Sequence, residues 1–157
     1  MRAAKLVQHM KTNADRMSEA VMQKIKTSDR CTELFLKVPA EEQRQSTLNI
    51  YSDLTAWLAT ERDSSIEQRY IALGVRRAHQ QVPFSDLYWA VCIAHEHLWN
   101  YMQEECLLDE PVEFWGGVML LHSLNQFFDR ALYFALIGYQ QAGKDELTST
   151  AAAAAQK

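Results

Sequence analysis

Arg77 is the residue whose type and place most need a reason. Ile66, Tyr70, Leu73 and Gly74 recur at helical spacing, and Arg77 occupies the next position of that stripe. An apolar side chain is expected there, because such a stripe faces the core. Charges are seldom fully buried without a partner. A guanidinium stays protonated and has no lone pair for a metal, so Arg77 is no metal ligand.

The other reactive types do not assemble around it. The five histidines are His9, His79, His95, His97 and His122. None belongs to the paired E-x-x-H pattern of carboxylate di-iron bundles or to H-E-x-x-H. His95 and His97 lie about 200° apart around a helix, so they do not share a metal. His95, on an apolar side, reads as a hydrogen-bonded core residue, and His122 as one projecting into the dimer or the core. Glu41-Glu42 and Glu104-Glu105 are adjacent, diverge on a helix and read as solvated surface. Asp129 could be buried, with Arg130 or Arg77 as its ion partner. With no nucleophile, base and orienter together, and no G-x-S-x-G, P-loop or dinucleotide glycine pattern, the chain does not read as an enzyme. No cofactor or metal is expected.

Cys31, Cys92 and Cys106 are odd in number and lack C-x-x-C spacing. They read as reduced, apolar core residues of a cytoplasmic protein. A formal charge of −4, with Arg76-Arg77 as the sole adjacent basic pair, gives no nucleic-acid footprint. The N-terminus lacks a secretory apolar segment, and the uncharged run Phe114 to Phe128 is too short to span a bilayer.

Positioning falls to helices. The 157 residues hold five glycines and three prolines, with no alternating strand pattern, so an all-α domain over 1–143 is expected. Leu6 to Lys26 carries one apolar stripe: Leu6, Val7, Met10, Ala14, Met17, Val21 and Ile25. Leu34 to Leu36 and Val38-Pro39 form a connector. Pro39 to Thr60 is the next helix, with Leu48, Tyr51, Leu54, Thr55 and Leu58 on its buried side and Ile50 and Trp57 flanking. The helix from Ile66 ends near Gln81, before Pro83. Helices from Phe84 to about Leu107 and from Pro111 to about Tyr139 are apolar on more than one face. A second molecule is the expected cover, giving a homodimer whose four long helices form a bundle. Gly143 is expected to end the last helix, leaving 144–157 as a flexible tail.

The stretch Gly74-x-x-Arg77-x-x-x-x-x-Pro83, followed by Tyr88-Trp89, resembles the junction after the proximal helix of sensor globins. In the haem-bearing members a histidine stands where this chain has Arg77. That departure, with Tyr70, Leu73-Gly74, Arg76-Arg77-Ala78 and Val82-Pro83, resembles the non-haem globin sensor domains of stressosome proteins. These are the N-terminal domains of RsbR-type co-antagonists of an RsbT-like kinase. The resemblance covers residues 5 to 142 or so. It implies a dimeric globin-like fold without haem, acting as a sensory or regulatory module with a protein partner in a signalling pathway. His79, about 200° from Arg77 around the helix, does not replace the missing ligand.

On that reading Arg77 pins the old haem-side pocket, with Tyr70, Leu73 and Tyr88 around it, and a small apolar ligand is the expected occupant. The competing reading of Arg77 is a snorkelling side chain with no role beyond its helix. The dimer interface is expected to use Trp99, Leu124, Phe127 and Phe134. A haem sensor using another histidine, and a ligand-free interaction module, remain the rival readings.

Overall fold

A computed structural model describes residues 2–60, 64–105 and 114–156. Its regular structure is helical: α1 (Arg2–Thr27), α2 (Thr32–Lys37), α3 (Ala40–Thr60), α4 (Ser64–His79), α5 (Phe84–Glu104) and α6 (Phe114–Ala155). Cys106, Leu107 and Pro111, on which three of the expectations above rest, lie outside the described residues.

The stripe of α1 behaves as its spacing requires. Leu6, Met10, Met17, Val21 and Ile25 are all buried, and α1 packs mainly on α3. On α3 the buried side is Ile50, Tyr51, Leu54 and Trp57, while Leu48, Thr55 and Leu58 are only half-buried. The helix is therefore turned towards its two aromatic residues. Each has a polar tip that needs a partner once buried. The Tyr51 hydroxyl donates to the Ala94 carbonyl at 3.1 Å, and the Trp57 indole N–H donates to the Ser123 carbonyl at 3.0 Å.

The connector is the short helix α2, held at both ends from outside. Asp86 of α5 accepts from the backbone N–H groups of Glu33 and Leu34 at 3.0 and 3.1 Å, doing the work of an N-cap. At the other end the Gln43 side chain donates to the carbonyls of Leu34, Phe35 and Val38. Leu34 is buried, whereas Phe35 and Leu36 face outward.

The α4–α5 corner ends in a Schellman arrangement. The Val82 N–H reaches the Arg77 carbonyl, the Gln81 N–H reaches that of Ala78, and Gln81 takes φ of 60°. Glycine is the usual residue at such a position. Lys37 and Tyr139 donate to the carbonyls of Gln81 and Val82, both at 2.7 Å, so the corner is pinned from two sides. Pro83 then starts α5 without losing a helical donor.

The most extensive helix contact is between α4 and α6. It answers the surplus of apolar surface on α6 differently from the sequence expectation. Leu124 and Phe127 are buried inside the monomer, because α4 lies close enough to cover them. The helix also does not stop at Gly143. It runs on to Ala155 with every side chain beyond Gly143 exposed. One interior glycine costs about 1 kcal/mol in a helix, too little to stop one that good helix formers and an alanine run continue. No described helix is long and apolar enough to cross a membrane.

Candidate functional site

Arg77 is held between α3 and α4, whose side-chain contacts run antiparallel, Glu42 to Arg77 at one end and Asp53 to Arg69 at the other. Arg77 is 2% exposed, so its side chain points inward and does not snorkel. Its Nη1 donates to Glu42 Oε1 at 2.7 Å and to Gln80 Oε1 at 2.8 Å, and its Nη2 to Ser46 Oγ at 2.9 Å. Nε has no hydrogen-bond partner. Burial pulls the Arg77 pKa down, and Glu42 opposes that shift.

Glu42 is the hub. Arg76 clasps its carboxylate through Nε at 3.0 Å and Nη2 at 3.2 Å, and the Gln80 amide donates to both oxygens. Hydrogen bonding from Arg76, supported by Arg77 and Gln80 against partial burial, holds Glu42 down to about 2. The ion partner of Arg77 is therefore Glu42. Asp129, one candidate for that place, is exposed on α6.

At the other end of the same cleft, Asp53 is buried on α3 and paired with Arg69 of α4. Burial raises the Asp53 pKa, with the Arg69 charge working the other way. The Tyr70 hydroxyl lies near enough to feel the carboxylate. Burial first, and then the Asp53 carboxylate beside it, push the phenol up. Between the two ion pairs lies an open groove of about 650 Å³, with Ser46, Asn49, Ser52, Ala72 and Leu73 along it.

Three of the four expected pocket residues, Tyr70, Leu73 and Arg77, thus line one groove, but most of the residues along it are polar in type. Tyr88 is elsewhere. It stands half-exposed on α5 against Phe84, beside the Arg30–Trp89 stack. Behind Leu73, towards Leu87, Val91 and Ala94, is a separate apolar cavity of only about 30 Å³. That is room for about one water.

The expected interface residues also divide. Leu124 and Phe127 belong to the monomer core, Phe134 is half-buried and Trp99 is exposed. His79 is exposed near Glu146, at 3.9 Å. His95 stacks on Phe128 with ring centroids 4.2 Å apart. Among the described residues no group of three or more His, Cys, Asp or Glu could hold a metal.

Sequence reasoning missed Glu42 and Asp53. Glu42 was indistinguishable from Glu41 along the chain. What separates them is that α4 returns beside α3, so that Glu42 meets Arg76 and Arg77 while Asp53 meets Arg69. The signal available was the matching order of charges in the two segments.

No curated protein and no solved structure matches the chain. A family model, RsbT co-antagonist protein rsbRD N-terminal domain, matches residues 12–154. That span takes in the clasped Arg77, the groove and nearly all of α6, and the chain belongs to this family of RsbT co-antagonist N-terminal domains.

Proposed function

We propose that this chain is a cofactor-free, cytoplasmic regulatory domain that receives a ligand or partner signal and passes it on through a homodimer. The family supports the regulatory part, since its description is that of the N-terminal domain of an RsbT co-antagonist. RsbT signalling is accordingly the pathway in which a protein partner is sought.

The observation that carries the cofactor-free part is the engagement of Arg77. Its guanidinium is buried and committed to Glu42, Gln80 and Ser46, at the position where the resemblance to haem-bearing sensors calls for histidine. An iron ligand must offer a lone pair, which arginine does not. The apolar space behind Leu73 is about 30 Å³, whereas small-molecule pockets run to some hundreds of Å³.

The long α6 supports transmission. At 1.5 Å per residue its segment beyond Ala142, the last buried residue, is about 20 Å long. A rigid element anchored in the core at one end and with exposed side chains along the other carries a shift of packing outward. On α6 the exposed Met119 and Tyr133 share a stripe with Ile137. With Phe134 and Trp99 they are the surface offered to a second copy.

The test of the cofactor-free reading is a hemin titration followed by absorbance. The expected result is a colourless protein and no saturable Soret band. A stoichiometric complex with a sharp Soret band, lost in His79→Ala or His95→Ala, would overturn it.

A further inference from the structure

We infer that the α3–α4 groove is a binding site for a small oxyanion, a carboxylate or a phosphate group on a polar molecule, received at its Arg76–Arg77 end. The inference deepens the sensory reading by naming the chemistry of its input, and rests on that reading only for what binding would then do.

Three features of the groove carry it. The first is charge. At the Arg76–Arg77 end two guanidinium groups share one carboxylate, Glu42, leaving one positive charge uncompensated. At the far end Asp53 and Arg69 cancel. The groove is thus net positive in a chain whose formal charge is −4, and a single anionic group is what balances it.

The second is unsatisfied polarity. Arg77 Nε is buried without a hydrogen-bond partner, and Arg77 lines this groove. Such groups are uncommon in folded proteins, because each forfeits its hydration without replacement. Nε can only donate, so it calls for an acceptor. Seven residues back on the same face of α4, about 10 Å along the axis, the Tyr70 hydroxyl lies beside the Asp53 carboxylate. The groove thus offers a donor end for an anion and a mixed donor and acceptor end for a polar body.

The third is room and access. The volume of about 650 Å³ is that of an ordinary small-molecule site. Ser46, Asn49 and Ser52 offer further hydroxyl and amide groups along one wall. Arg76 is largely exposed, so its side chain can swing aside to open the way to Arg77 and then close on an anion by a second charge-assisted bond.

The test uses the purified chain, with thermal shift and calorimetric titration by sodium phosphate and by sodium acetate, each against sodium chloride at matched ionic strength. The expected result is a saturable rise in melting temperature with phosphate, acetate or both, beyond that with chloride. A response to phosphate alone identifies a phosphate site, and one to acetate as well identifies a general oxyanion site. Two variants locate it. Arg76→Gln, at an exposed position, should weaken binding at least tenfold. Ala72→Trp, also exposed, should block the groove and abolish binding, with circular dichroism confirming that both fold. No response beyond chloride, or anion binding unchanged in both variants, would overturn the inference. Either failure would leave the hemin and dimer results untouched.

Discussion

Gly74 of α4 and Gly138 of α6 each lack a side chain where the opposite helix supplies backbone. A Cβ on Gly74 would lie 1.9 Å from the Ala135 carbonyl oxygen, and one on Gly138 would lie 2.0 Å from that of Ile71. The contact is reciprocal, since each glycine faces the carbonyl one turn before the other. Neither glycine has a positive φ, so it is close approach and not backbone conformation that requires them. This approach lets α4 cover the Leu124–Phe127 side of α6.

Alanine substitution at three glycines tests that contact. Gly74→Ala and Gly138→Ala should each lower stability by about 3 kcal/mol or more, because backbone, not a yielding side chain, meets the new methyl. Gly143→Ala has nothing within 4 Å and should stabilise by roughly 0.5–1 kcal/mol through helix propensity. Urea unfolding of the three variants checks the order. A mild effect at Gly74 or Gly138 would mean the helices sit farther apart.

Glu42→Ala leaves Arg77 buried without its carboxylate, so a loss of about 1–3 kcal/mol is expected. Its pH dependence has a definite direction. The folded pKa of about 2 lies below the ordinary 4.5, so the ionised carboxylate adds stability that is complete above about 4.5. That stability is lost as pH falls towards 2. The wild type should therefore lose more stability than Glu42→Ala between those values. Parallel melting-temperature profiles would refute the Glu42 clasp.

The α2 cap is testable at Asp86. Removing its carboxylate leaves the Glu33 and Leu34 N–H groups without an acceptor, and Asp86→Ala should cost about 1–2 kcal/mol. At the neighbouring corner, Gln81→Gly should stabilise by up to about 1 kcal/mol, since Gln81 holds φ of 60° and glycine takes that conformation freely. Chemical denaturation of both variants reads the two signs. A destabilised Gln81→Gly would show that the side chain does more there than endure its backbone angle.

Cys31 is a further probe of the same region. Burial pushes its thiol up to about 11, so the folded protein should hold it as the unreactive thiol at neutral pH. Alkylation by iodoacetamide should modify Cys31 only after denaturation. Rapid labelling of Cys31 in the native protein would mean that α2 opens readily.

What the sequence made legible was local. Three-and-four spacing marked Leu6 to Ile25 as one buried stripe, and Pro83 marked the corner before α5. Arg77 announced itself as a charge on an apolar face. Its partner did not, because Glu42 meets it only through the antiparallel return of α4 along α3, which local spacing does not encode. For the same reason the pocket around Tyr70 and Leu73 was expected to be apolar. The acids that make it polar come from the other helix. The surplus face of α6 was assigned to a second chain because so small a domain offers few other helices as cover, and spacing does not show that Gly74 and Gly138 bring α4 against it. Gly143 misled in the opposite way, as a weak local penalty taken for a stop.

The central claim is that the domain works as a homodimer, and the mass in solution tests it most directly. Light scattering on the eluting protein at micromolar concentration should give twice the 18.1 kDa of the chain. Met119 and Tyr133, 63% and 58% exposed on one stripe of α6, would then be covered by the partner, and Tyr133→Glu should shift the mass towards the monomer. A wild-type mass of a single chain under these conditions would contradict the claim, and with it the proposed transmission through α6.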